Sequence, residues 1–594
     1  MRMINVVKHD FQNLIYMVKY FFNYGKIYFI VHFFVVFLTN PVTTVLNIYM
    51  QKEIIDSITI GNSWISVILL ILLFQIAFFL MSIINQVFLV YSTPVSEQII
   101  EKLNKMVYNK AIHADLKNFS KSDFYNNYAW TIDNFSDQAN QAKNLLIDFS
   151  TNLLSITAII TIIVILDHFL LLIIVIHIII SSIIKRFRIK HGYKLNSELI
   201  DSTRIFEYIK RIFYDPQNAI ELKCNRSSFF LFKKYDYNTE TRKNVRFKYA
   251  TKFLIFLLSD AANVIVLNLI ILSYLTYQII HNGLSIGSFI ALTSASLALS
   301  NILSNLLNTF NQIHEISLYV NRVKCFMYAE SNIELMNNNN PDFELLEDDS
   351  FSLELKNVGF RYDKRKNCLR KINLIINKGE KIAIVGKNGA GKSTLVKLLL
   401  RLYDVNKGEI LINNKSIKSY DIVELRKKIG IAFQRPLIYA LTLSENMQLY
   451  ANADDKILIN ALRKVGLNDI IENTKKGLHS EMTKEFCDEG IVLSGGGEQR
   501  LGVSRLFIGK FGMLILDEPF SALDPLAEFE LNNTIFDLNN KITTIVISHR
   551  LSNINSADSI YLMDNGTIVE SGNHDELMKL NGKYAEMFYK QANA

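Results

Sequence analysis

Residues 381–394 read KIAIVGKNGAGKST, a short apolar run that passes into a glycine-rich turn and then into the apolar helix pattern LVKLLLRL (395–402). The spacing is Gly386-x-x-x-x-Gly391-Lys392-Ser393. Glycines leave backbone N–H groups bare, so the turn can curl around phosphate oxygens; Lys392 is placed to reach the β and γ oxygens, and the Ser393 hydroxyl to ligate Mg²⁺. A strand before and a helix after are the context that separates such a loop from a chance glycine turn.

Two further stretches belong to the same chemistry. GMLILDEP (512–519) is a second buried strand, ending in adjacent carboxylates. Asp517 suits the magnesium shell, and Glu518 is placed to orient or deprotonate an attacking water. Between the two strands lies LSGGGEQR (493–500), a serine and bare glycines at the start of a helix, which is a second anion cradle. Two cradles and one nucleotide suggest that the second serves a partner's nucleotide.

The first half of the chain has another character. The sequence has 594 residues, too many for one core, and apolar residues crowd its first half in runs that meet the about 20 residues a bilayer requires. Six spans are predicted, near Ile27–Tyr49, Trp64–Leu89, Leu145–Leu166, Phe169–Ile184, Phe253–Tyr277 and Ile286–Leu307. The segment Val6–Tyr24 resembles a helix lying on the inner membrane surface. Three connections are short and carry a single basic residue, Lys52. The other two are long and basic, including IKRFRIK (183–189) and RKNVRFK (242–248). The positive-inside bias therefore places the long connections, the N-terminus and everything after the sixth span in the cytoplasm. The net charge of +8 is thereby assigned to anionic lipid rather than to nucleic acid.

The long connections are expected to be membrane helices continued into the cytoplasm, over Val90–Asn144 and Lys185–Lys252. Their tips fall at KNFSKSDFYNN (117–127) and YDPQNAIELKCN (214–225). NNNNPDFELLEDDS (337–350) marks a boundary. The expected domains are thus 1–335, a linker 336–350, and 351–594. Cys224, Cys325, Cys368 and Cys487 have no metal-ligand spacing and read as reduced thiols. No small-residue cleavage site follows an early apolar stretch, so no signal peptide is expected.

These residues resemble, over nearly the whole chain, the ATP-binding-cassette exporters. Gly386, Lys387, Asn388, Gly389, Ala390, Gly391, Lys392, Ser393 and Thr394 match the family's Walker A, and Leu514 to Glu518 its Walker B. Ser494, Gly495 and Gly496 match the signature loop, and Ser521 to Asp524 the D-loop. By the same resemblance Gln434 senses magnesium and the membrane domain, His549 is the switch histidine at the γ-phosphate, and Tyr362 stacks on adenine. KEFCDEG (484–490) is similar to the exporter loop that meets the partner's coupling helix. Two positions depart from the pattern: Gly497 and Glu498 follow the signature glycines where glutamine is usual, and Phe520 replaces the usual threonine. Both are expected to tune the rate, since Glu518 is intact.

Polar residues in the membrane half carry the cargo question. His177 and Asp260 fall inside spans, and Asn301, Asn305, Asn308 and Gln312 repeat on one helical face. Each either lines an export cavity or hydrogen-bonds between helices. Asn40-Pro41 predicts a kink in the first span. The 39 Phe and 27 Tyr read as lipid-facing filler rather than a binding box.

The expected fold is an all-α six-span membrane domain followed by an α/β P-loop domain with a helical subdomain near Leu443–Leu501. The resemblance implies an ATPase that uses ATP and Mg²⁺, with ATP held between two copies of the chain. It implies a multi-pass protein of the cell membrane. The coupling regions look like those of bacterial exporters of lantibiotics and other small peptides, whose leader a separate protein would cleave. The alternatives are a lipid or lipid-linked glycan flippase of the same fold, and a degenerate cassette acting as regulator or channel, against which Lys392, Glu518 and His549 speak.

Overall fold

The computed structural model describes residues 2–215, 218–329, 333, 349–362, 367–536, 542–551 and 554–592. Two compact units emerge. The first holds residues 1–110 and 126–328; the second holds 111–125 and 329–594. The boundary expected near 335 thus falls a few residues earlier, and the tip 111–125 belongs with the C-terminal unit. All but the last two residues of the expected linker lie outside the described residues.

The first unit is helical: α1 (Arg2–Tyr24), α2 (Lys26–Thr59), α3 (Trp64–Ile112), then α5 (Ser122–Leu166), α6 (His168–Tyr214), α7 (Ala219–Cys224), α8 (Ser227–Asn282) and α9 (Ile286–Met327), with the short α4 (Leu116–Phe119) at the first tip. Six of these helices are long and apolar enough to cross a membrane, and each contains one predicted span. Their lengths bear out helices continued well beyond a membrane core. α3 has 49 residues and α8 has 56; at 1.5 Å per residue each exceeds twice the ~30 Å of a bilayer core. Large side chains such as Leu69, Leu73 and Phe79 on α3 stand exposed, as suits a surface solvated by lipid.

Small residues let the helices approach. Ala291 and Ala295 of α9 pack fully buried among Ile48, Ile163, Ile174, Ile271 and Leu275. At the start of α9, Asp56 of α2 accepts from Gly287 N at 3.0 Å and from Ser285 Oγ at 3.2 Å. α1 is tied to α9 by polar bonds as well as by its apolar face: Asn13 donates to Ser317 Oγ at 2.9 Å and accepts from Lys324 at 2.6 Å, beside buried Leu14, Met17 and Phe21. α2 runs unbroken through Pro41, with the Thr39 and Asn40 carbonyls accepting from the Thr43 and Thr44 hydroxyls. The expected kink is therefore no break in the helix.

The second unit is α/β. An antiparallel sheet of order β2-β1-β4-β5 uses β1 (Leu353–Phe360), β2 (Leu369–Ile376), β4 (Lys407–Ile412) and β5 (Lys415–Ser416). A six-stranded sheet of order β10-β9-β3-β8-β7-β6 uses β3 (Lys381–Val385), β6 (Ile429–Ala432), β7 (Met513–Asp517), β8 (Thr543–Ile547), β9 (Ser559–Asp564) and β10 (Thr567–Gly572). β3, β6, β7, β8 and β9 are parallel, and β10 returns antiparallel. β3, β7 and β8 are apolar runs buried on both faces, as a parallel sheet requires. Helices α10 (Lys392–Leu399), α11 (Ile422–Lys427), α16 (Pro525–Phe536), α17 (His574–Leu580) and α18 (Lys583–Ala592) accompany the sheets. The helical subdomain is α12 (Leu443–Met447), α13 (Asp455–Lys464), α14 (Asn468–Glu472) and α15 (Gly495–Ser504), close to the predicted limits. All four cysteines are free thiols.

Candidate active site

The C-terminal ends of β3, β7 and β8 converge, and the predicted catalytic residues stand just beyond them. After β3 the chain turns through Gly386 (φ +149°), Gly389 (+82°) and Gly391 (+108°) before α10 begins. Gly386 is required sterically, because a Cβ there would lie 2.2 Å from the Met563 carbonyl oxygen. Lys392 is buried and folds back into this loop, donating to the carbonyls of Gly386 (2.8 Å) and Lys387 (3.2 Å). Burial pulls its ammonium below the usual lysine range, and Glu518 and Asp517 oppose that shift.

Asp517 ends β7. Burial raises its carboxyl above the ordinary range and the neighbouring Glu518 adds to the rise, while a hydrogen bond from Ser393 works the other way. Asp517 and Ser393 thus face each other across the loop, and two such oxygens suit Mg²⁺, which keeps its remaining positions for water and phosphate. Among the described residues there is no cluster of three His, Cys, Asp or Glu able to hold a metal on its own.

Glu518 adopts φ +50°, which turns its side chain away from the strand path; its backbone N–H is fixed on the Ile547 carbonyl at 3.0 Å. Such a conformation costs of order 1–2 kcal/mol in a non-glycine residue and is held by its surroundings. One carboxylate oxygen accepts from Gln434 Nε2 at 2.7 Å, and the other pairs with His549 Nε2. His549 Nδ1 in turn lies 3.5 Å from Lys392 Nζ. Lys392, Gln434, Asp517, Glu518 and His549, five residues from four segments of the chain, therefore converge.

Other predicted residues lie at the rim. Tyr362 is exposed, packs edge-on against Phe360 and Tyr403, and donates to Thr394 Oγ1 at 3.2 Å. Ser494 caps α15, accepting from Gly497 N at 3.2 Å, and Ser494 and Gly495 are exposed. Asp524 accepts from Ala527 N at 2.9 Å and opens α16. The loop 484–490 is exposed except at Cys487 and Gly490.

Gln499, which no sequence motif above includes as a site residue, joins three of these pieces. It is buried on α15, donates to the Gln434 carbonyl (2.9 Å) and to Ser521 Oγ (2.8 Å), and accepts from Ala522 N (2.8 Å). A glutamine at the fifth position after Ser494, on the inner face of a predicted helix, was the available signal.

In the membrane unit the polar residues divide. His177 is buried and lies 3.4 Å from both Ser300 Oγ and Ser181 Oγ, and Asn263 donates to Ser181 at 2.9 Å. Lys185, also buried, donates to Ser304 at 2.6 Å. His177 thus sits between α6 and α9, close to a serine on each. Asp260 is half-buried within electrostatic reach of His177 and Lys185. Asn301, Asn305, Asn308 and Gln312 are exposed on α9. The first and third predicted spans also carry the ionisable His32 and Asp148.

Known proteins share this architecture. Residues 369–521 match the ABC transporter family. The chain is 32% identical over 322 residues to the Bacillus subtilis protein YgaD, whose name assigns it to multidrug export, covering 54% of each chain. It is 38% identical over 238 residues, 40% of each chain, to a Staphylococcus aureus protein also named for multidrug export. The chain spans about half or less of the length of these relatives. A solved bacterial Atm1-family ABC exporter with ATP bound superposes with a TM-score of 0.73 at 22% identity, covering 95% of this chain and 98% of that one. The fold is that of an ABC exporter, a six-helix membrane domain fused to an ATP-binding domain.

Proposed function

We propose that this protein is an ATP-driven exporter that works as a homodimer, and that Glu518 is the general base for ATP hydrolysis. The observation that carries the reading is the Glu518 carboxylate at the end of β7, held by Gln434 and His549 beside the glycine loop of Lys392. In this reading the loop N–H groups and Lys392 bind the phosphates, and Glu518 takes the proton of the attacking water. His549 keeps Glu518 oriented and meets the γ-phosphate. Ser393, Asp517 and the Gln434 side-chain amide oxygen would hold Mg²⁺, which when bound neutralises charge on the transferring phosphoryl group. Ser494 and Gly495, exposed at the start of α15, suit the composite site in which the partner copy closes over the nucleotide. The N-terminus and the ATP-binding domain lie in the cytoplasm by the basic bias of the long connections.

Glu518→Gln is the test. It should bind MgATP as the wild type does and hydrolyse it about 10²-fold more slowly, the loss expected for a positioned base. Lys392→Ala should instead weaken binding itself. Wild-type turnover by purified Glu518→Gln would remove the assignment.

For cargo we infer a small, cationic peptide, recognised by the exposed Asn301–Asn305–Asn308 face and by the half-buried Asp260. A second reading, multidrug export, is favoured by the names of the two relatives. Stimulation of ATP hydrolysis in lipid nanodiscs by panels of peptides, drugs and lipids separates these readings. Stimulation by a lipid headgroup alone would refute both and favour the flippase.

A further inference from the structure

His549 acts from a loop, and that loop has an anchor at the far end of the chain. β8 ends at Ile547; Ser548 closes the next turn on itself, its Oγ accepting from Arg550 N at 3.0 Å. Gln591, on the last helix, bridges the residues that follow. Its Nε2 donates to the His549 carbonyl at 2.6 Å, and its Oε1 accepts from Leu551 N at 2.9 Å. On the other side the Arg550 guanidinium pairs with Glu528, a buried carboxylate of α16 whose N–H bonds the Asp524 carbonyl at 2.9 Å. The backbone on both sides of Arg550 is therefore held by one amide, and the side chain between by α16.

The helix that presents Gln591 is itself fixed. Glu570 accepts from the first two N–H groups of α18, Lys583 at 2.7 Å and Tyr584 at 2.9 Å. Tyr584 is fully buried and its hydroxyl lies 2.9 Å from His574 Nδ1. Gln591 follows seven residues later, about 10 Å along the axis, with the reach of a side chain still to come. A planar amide, with a donor and an acceptor, spans a carbonyl and an N–H two residues apart; glutamate offers two acceptors, and methionine no donor and only a weakly accepting sulfur.

We propose that Gln591 is a positioning residue for ATP hydrolysis: its amide sets the register of the loop 548–551 so that the His549 ring meets Glu518. The proposal rests on the hydrolytic reading above. It makes the last helix of the chain a contributor to turnover while leaving the phosphate loop untouched.

The test uses the full chain in lipid nanodiscs, with phosphate release measured against ATP concentration. Gln591→Met, which keeps length and helix propensity, should lower kcat about 3- to 10-fold with KM for ATP within about 2-fold, the pattern of a group that acts after binding. Gln591→Glu should lose at least as much, because it sets a carboxylate against the His549 carbonyl. Combined with His549→Ala, Gln591→Met should add less than about 1.5-fold to the loss, since residues that act through one another are not additive. A Gln591→Met enzyme within 2-fold of wild-type kcat overturns the proposal, as does a loss that multiplies fully in the His549→Ala background. If His549→Ala itself turns over normally, the hydrolytic role of His549 fails and the proposal falls with it; an impaired His549→Ala beside a normal Gln591→Met removes the proposal alone.

Discussion

Replacing Gln499 with leucine removes three hydrogen bonds while nearly conserving volume, so its effect reports the joint that Gln499 makes. The buried side chain holds the Gln434 carbonyl, Ser521 Oγ and Ala522 N. An intramolecular hydrogen bond contributes about 1 kcal/mol net, and an orphaned buried partner costs 1–3 kcal/mol. Gln434, Ser521 and Ala522 are exposed residues, so water can take over part of each lost bond and the lower figure applies. The sum is about 2–3 kcal/mol. For a domain of roughly 240 residues, 1 kcal/mol moves the melting midpoint by about 2–4 °C, which gives a fall of about 4–12 °C. Calorimetry on the full chain reads this in the transition that added ATP moves upward. Gln434 also donates to Glu518, and Ser521 N bonds the Glu518 carbonyl. Turnover should therefore fall about 10-fold or more while ATP affinity, set at the glycine loop, changes little. A midpoint within about 1 °C of wild type together with wild-type turnover would refute the joint.

Two other perturbations separate loop geometry from charge. Gly386→Ala places a Cβ 2.2 Å from the Met563 carbonyl at φ +149°, so the loop must move and ATP affinity should drop about 10-fold or more; Gly389→Ala, with nothing within 4 Å but φ +82°, should cost less, as equilibrium binding would show. Asp517→Asn should raise the melting midpoint at neutral pH in the absence of nucleotide and Mg²⁺, although it abolishes MgATP hydrolysis. The sign follows from burial, which raises the Asp517 pKa in the folded state: that state binds the proton more tightly, and stability is lost as pH rises from the unfolded to the folded value. The advantage of the variant should shrink as pH falls through that window, and an advantage that grows toward acid would contradict it.

Much of this protein is legible without coordinates, for a local reason. The glycine loop, the strand ending in Asp517-Glu518 and the six apolar runs are each written in contiguous residues, because backbone conformation, burial and bilayer thickness act on short stretches of chain. Side-chain partnerships are not local. Nothing in the sequence near His549 announces Gln591, 42 residues away, and no periodicity tells that His177 faces Ser300 across a helix pair while Asn301, one residue on, stays exposed. A rotation of 100° per residue separates those two fates, and packing decides it. The sequence by itself determined which residues stand in the glycine loop and at the end of its companion strand, and which segments are long and apolar enough to cross a membrane. The tertiary structure alone decided how those residues are held, since hydrogen-bond geometry between distant segments exists only once the sheets and helices have packed.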